Sequence, residues 1–192
     1  MLKKRWFLLA PLALSLALVA CKDDGDDDDD DDDNASTASA SAEMKSKDGK
    51  VLGLATFTQK GADVSLVVEI KGAESKGVEV GLHIHEKPSC EVSADAVFTS
   101  AGDHWNPPKM PGDYGPPGAS PNNGYLGELG KIALDAEGNG KLTFTSPNWQ
   151  IGTKKADADV VGHAMILHFI DPDPNDGKNA PRQGCGVIAA SK

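Results

Sequence analysis

Positive charge is scarce in this chain. Its 192 residues carry 19 Lys and Arg against 29 Asp and Glu, a formal net charge of −10. Ten of the acidic residues lie within 23–33 and four of the basic ones precede residue 34, so the remainder is near −4. A mildly acidic body without a basic patch excludes nucleic acid as an expected partner. Long apolar runs are missing too. The longest, Trp6 to Ala20, has 15 residues, too few to span a bilayer comfortably. No stretch shows a helical period of useful length, which excludes a helical bundle. Cysteines number three and histidines five. With so few, the place of each carries information.

What is present begins with an export signal. Lys3, Lys4 and Arg5 precede the apolar run, as in the n- and h-regions of a signal peptide. The run ends Leu18-Val19-Ala20-Cys21, which resembles the lipobox of bacterial lipoproteins and predicts lipidation at Cys21. The alternative is an ordinary cleaved signal with a chance cysteine. The expected location is the bacterial cell envelope, with a lipid anchor in the membrane and the domain facing the periplasm or the surface. Next come ten Asp within 22–33, then a stretch to residue 48 rich in Ser and Ala. Like-charge blocks repel themselves and stay solvated, so 21–48 reads as a lipidated cysteine plus a disordered acidic tether, with cation collection as its functional alternative. As a coil it spans roughly 30 Å. The expected division is a signal peptide over 1–20, the tether over 21–48 and one β domain over 49–192.

From residue 50 the chain alternates. Val64, Leu66, Val68 and Ile70 share one face, as do Val78, Val80, Leu82 and Ile84. Residues 51–58, 129–134, 141–145, 159–168 and 186–190 complete the strand candidates, with glycine at the turns. The fold class is all-β, a sandwich or flattened barrel. Residues 101–125 break the pattern with Gly, Pro and Asn, and a loop this long in a compact domain is functional or disordered.

His83 and His85 lie one pleat apart and project together, away from the apolar face. Two imidazoles so placed can chelate a metal, although two surface histidines give the same pattern. His104 stands in the long loop and His168 ends GHAMILH. His163 is an odd offset from His168, so it falls on the other face as a structural or surface residue. An imidazole-only set suits copper, with zinc as the competitor. If Cys21 carries lipid, Cys90 and Cys185 remain, and an exported pair is ordinarily a disulfide, two buried thiols being the alternative.

GLHIHE, AGDHWNP, LGELG, GHAMILH and RQGCGVI, in this order, resemble the bacterial copper/zinc superoxide dismutases over about residues 50–190. The resemblance implies a Greek-key β-barrel of about eight antiparallel strands. It implies copper held by His83, His85, His104 and His168, a Cys90–Cys185 disulfide, and Arg182 as the guide for the superoxide anion. It also implies that superoxide is disproportionated to O2 and H2O2 by copper redox cycling, with His104 carrying a proton. The alternative role for Arg182 is a structural hydrogen bond to the loop near Cys185. The zinc half does not carry over. Tyr114 and Tyr125 stand where two zinc histidines are expected, and Glu128 stands for the aspartate. All five histidines are already assigned. A neutral phenol is a poor zinc ligand at neutral pH, so zinc is expected to be absent. The segment between His168 and Cys185 is short, and Asp171 and Asp173 are the nearest candidates for the aspartate that links the two metals in the family. Without zinc, Glu128 is expected to orient His104 by accepting its N–H, with Tyr125 or Tyr114 as an alternative, or else His104 is loose. The rival functions are a non-catalytic periplasmic or surface copper-binding lipoprotein, a relic of the fold, and a two-metal enzyme with unusual zinc ligands. A homodimer and a monomer both remain open.

Overall fold

The computed structural model describes residues 37–107, 126–155, 157–169 and 181–192. They belong to a compact unit, Ala35–Lys192. The other unit, Met1–Asn34, with the signal peptide, Cys21 and the Asp run, lies outside the described residues.

The strands in chain order are β1 (Ser39–Lys45), β2 (Val51–Lys60), β3 (Asp63–Ile70), β4 (Glu79–His85), β5 (Val92–Ser93), β6 (Ala96–Val97), β7 (Glu128–Ala133), β8 (Gly140–Ser146), β9 (Ala164–His168), β10 (Arg182–Val187) and β11 (Ala189–Ala190). One sheet runs β7-β4-β9-β10-β1-β2-β3-β8, with β11 beside the start of β1, and β5 and β6 form a separate hairpin. All strand pairs are antiparallel. Consecutive hairpins join β1, β2 and β3, and β10 returns beside β1, which is Greek-key connectivity. The sheet curls until its ends β7 and β8 meet, giving a nearly closed barrel. The inward residues Phe57, Leu66, Leu82, Ile132 and Trp149 are fully buried.

Three expectations need correction. Residues 39–45 were expected to be tether, and they form β1, hydrogen-bonded between β2 and β10 in the middle of the sheet. Ala40, Ala42 and Met44 point into the core while Ser41, Glu43 and Lys45 point out. The period of two is present, but alanine is a weak strand former and serine a common linker residue, so the composition hid it. The candidate strand over 159–168 is extended only from Ala164, and the one over 186–190 begins four residues earlier, at Arg182. Asp159 instead caps a loop, its carboxylate accepting from the backbone N–H groups of Gly152, Lys154 and Val161.

The β4-β9-β10 side is buried on both faces. Beneath it lies the barrel core. Above it a second, smaller cluster of Phe98, Ala101, Ala164, Ile166 and Cys185 packs under the loop that follows β4. This explains why β4 is buried from Val80 to His85 and β9 throughout.

Candidate metal centre

Cross-strand partners share a face of the sheet, so the registers place the site. His83 lies opposite Ile166 on β9 and Glu128 on β7; His85 lies opposite Ala164. His168 is two residues beyond Ile166 and therefore on the same outer face, and Arg182 pairs directly with His168. One face of four neighbouring strands thus carries Glu128, His83, His85, His168 and Arg182.

His104 comes from the loop and is docked by the backbone. It forms an antiparallel bridge with His85. Three hydrogen bonds then close a ring: Trp105 N–H to the Ile84 carbonyl, Ile84 N–H to Gly127, and Gly127 N–H to Trp105, each 2.9 Å. A Cβ at Gly127 would sit 2.2 Å from the Ile84 oxygen, so only glycine allows this approach. The next residue is Glu128, which the ring delivers to His104.

The four imidazoles converge, with one ligand nitrogen from each within 4.8 Å of the others. All four side chains are buried. His85 Nδ1 donates to the Gly102 carbonyl at 2.9 Å, leaving Nε2 as its lone-pair nitrogen. His104 Nδ1 is hydrogen-bonded to Glu128 Oε1, which likewise leaves Nε2. His83 Nε2 faces Glu128 Oε2 at 3.4 Å, leaving Nδ1. These three remaining nitrogens, His83 Nδ1, His85 Nε2 and His104 Nε2, are buried with no hydrogen-bond partner. Buried polar atoms are costly to leave unpaired, so their common focus fits a metal ion. Burial first, then the neighbouring imidazoles and Arg182, holds His83 well below the usual histidine range. Burial and the Arg182 charge do the same for His85. Both stay neutral at pH 7, which is the ligating form.

Arg182 is pinned. It donates to the Phe98 carbonyl at 2.6 Å and to the Gly102 carbonyl at 2.9 Å, and its burial lowers its pKa while Asp103 raises it. Phe98 holds φ at 59°, a left-handed conformation unusual for a bulky residue, and its carbonyl is one of the two that meet the guanidinium. Cys90 and Cys185 form a disulfide with Cα atoms 5.7 Å apart, fastening this loop to β10.

The expected ligand set, Arg182 and Glu128 are therefore brought together, and His163 stands apart from the cluster. Tyr114, Tyr125, Asp171, Asp173 and Cys21 lie outside the described residues. Three features carried no sequence signal. The Gly102 carbonyl serves both His85 and Arg182. Gln183 donates to the His168 carbonyl and to Ser75 Oγ, and accepts from the backbone N–H groups of Glu74 and Ser75. His163 contacts the carbonyls of His85 and Glu86. Backbone acceptors have no residue type, and the contacts of Gln183 cannot be read from its place in RQGCGVI.

Comparison with known proteins agrees with this geometry. The family model for copper/zinc superoxide dismutase (SODC) matches residues 51–188. The chain is 30% identical over 187 residues to a Cu-Zn superoxide dismutase of Deinococcus radiodurans, covering 93% of each chain. It is 32% identical to one of Haemophilus parainfluenzae, covering 72% of this chain and 74% of the other. In fold it is similar to a SOD-like protein from Bacillus subtilis, with TM-score 0.59, 24% identity, and coverage of 76% of this chain and 95% of the other. It is also similar to the Cu/Zn superoxide dismutase from Brucella abortus, with TM-score 0.57, 22% identity, and coverage of 78% and 98%. A matched span that contains all four convergent histidines, Glu128 and Arg182 places this chain in the copper/zinc superoxide dismutase family.

Proposed function

We propose that this chain disproportionates superoxide with copper as its resident metal: two superoxide anions and two protons give O2 and H2O2. The observation that carries the proposal is the focus of buried, unpartnered imidazole nitrogens beside a pinned arginine. His83, His85, His104 and His168 would hold the copper, and imidazole donors suit that metal. Copper bound there would supply the one-electron chemistry that neither imidazole nor guanidinium can. Arg182 draws the anion to the site and orients it, its fork held in place by two carbonyls. His104 is held at Nδ1 by Glu128, so its Nε2 keeps one direction and can hold a proton whenever it is not ligating.

The centre is proposed to work with copper alone. Four of the five histidines converge and the fifth is engaged with backbone carbonyls, so none remains for a second metal. Glu128 takes the far nitrogen of His104. The N-terminal signal and the disulfide support a protein lipidated at Cys21 in the bacterial cell envelope.

The test is superoxide decay in stopped flow with the full-length chain loaded with copper alone, beside metal analysis. Near-diffusional turnover with one copper and no stoichiometric zinc is the expected result. Tight binding of one copper without turnover would refute the enzyme and leave a copper-binding lipoprotein.

A further inference from the structure

The fifth histidine sits where it can set the geometry of the other four. His163 immediately precedes β9, and its own backbone is tied to the barrel: its carbonyl accepts from Ile188 N–H, and Gly162 N–H donates to the Ile188 carbonyl. The last pair of the β4–β9 ladder is His85 and Ala164. Beyond that pair the imidazole continues the ladder with a side chain. Its Nδ1 lies 3.2 Å from the carbonyl oxygen of His85 and 2.9 Å from that of Glu86. Both partners are acceptors, so Nδ1 must carry the proton. The ring also lies flat on Trp105, centroids 4.3 Å apart and planes 29° from parallel. Trp105 follows His104 directly and is buried. One imidazole, carried on a rigid frame, therefore grips the end of the strand bearing His85 and the loop bearing His104. It does so at the point where the strand ending in His168 begins.

We infer that His163 is a positioning residue for the metal centre. Its N–H fixes the backbone of His85 and Glu86, its face fixes Trp105, and together they set the angle between the His85 and His104 imidazoles. Ligand orientation of this kind tunes metal affinity and spectrum without direct contact with the metal. The inference rests on the proposed copper centre.

Two substitutions separate the contacts. His163→Phe keeps a flat ring for Trp105 and removes the N–H. His163→Gln keeps a donor and removes the ring. The readouts are the Cu(II) EPR spectrum of the full-length copper-loaded chain and the rate of copper loss to a chelator. For His163→Phe we expect a changed copper hyperfine splitting and roughly 10-fold faster copper loss, in the range found when partners of metal ligands are removed. His163→Gln should recover part of the slow loss. If His163→Phe does not fold, Trp105→Leu removes the stacking partner and is expected to change the same EPR parameters. EPR and copper loss unchanged within twofold in these variants, even with a lowered melting temperature, would overturn the inference and leave His163 as packing. A parent chain that takes up no copper would overturn the copper centre and this inference with it. An altered variant against a copper-loaded parent supports it whatever the dismutation rate.

Discussion

Replacing Glu128 gives the sharpest test of a zinc-free centre. The residue is fully buried, and its two oxygens face two of the four convergent histidines: Oε1 meets His104 Nδ1 and Oε2 lies 3.4 Å from His83 Nε2. Glu128→Gln keeps the volume but removes the carboxylate charge, and Glu128→Ala removes both contacts. Loss of a partner that orients a metal-bound histidine costs about 10–100-fold in metal affinity or activity. Each tenfold loss subtracts about 1.4 kcal/mol from the stabilisation that saturating copper provides. For a domain of this size the copper-induced rise in melting temperature should shrink by roughly 3–11 °C. The metal-free protein should respond differently. A buried charge is costly to hold, so Glu128→Gln without copper should melt close to the parent or above it. Calorimetry with copper and with a chelator reads both quantities, and stopped-flow superoxide decay per bound copper should fall by roughly 10–100-fold. If both variants keep the full copper-induced shift and the full turnover, the carboxylate does not orient His104, and the reading of how the centre works without zinc fails.

Three further outcomes follow from the same geometry. The folded state holds His83 and His85 well below 6.5, so the unfolded chain binds more protons at mildly acid pH. Metal-free protein should keep this contribution above about pH 6.5 and lose stability progressively as pH falls toward the depressed values; thermal melts from pH 8 to 4 that stay level would contradict it. Arg182→Gln should slow superoxide decay by roughly 10-fold or more and weaken its salt dependence, while copper affinity holds; Arg182→Lys should keep part of the salt dependence, since the charge remains but the two-carbonyl fork is lost. The Cys90–Cys185 bridge spans a separation of 95 residues, so Cys90→Ala with Cys185→Ala should cost about 4–5 kcal/mol in urea unfolding, and a cost near zero would show that the chain is already confined without it.

The strand pattern and the ligand set were legible because both rest on a period of two. Alternation placed β2, β3, β4, β7 and β8 within two residues of their observed ends, and the spacing of His83 and His85 put both on the outer face. Parity also set His163 apart from His168. What failed to show was the source of the burial on a second face. The apolar loop residues Phe98 and Ala101 cover the outer face of β9 and β10; the unbroken apolar run Ala164–Leu167 marks β9 as covered on both faces, but nothing in it says which distant residues supply the cover. The first strand was hidden by its small residues, whose inward face is filled by Ala40, Ala42 and Met44. Glu128 was named from its place in LGELG, but its second contact, with His83, follows from register across β4 and β7 and has no local signature.

The charges around the centre suggest why a carboxylate can stand where a second cation is expected. Among the described residues, the buried ionic groups at the site are Glu128 and Arg182, of opposite sign, and Asp103 is the half-buried acid that acts on the arginine. The four imidazoles add no charge while they are ligands. Glu128 and Arg182 offset one another, so a bound copper would supply the positive charge of the site, with Asp103 drawing part of it away. That charge would draw a superoxide anion toward the focus, beside the guanidinium of Arg182. A second divalent cation would have to take Nδ1 of His104 from Glu128 and find further ligands, and among the described residues no histidine is left to supply them. A carboxylate holds the same nitrogen by a hydrogen bond to its proton, so the ring keeps its orientation whether or not Nε2 is engaged.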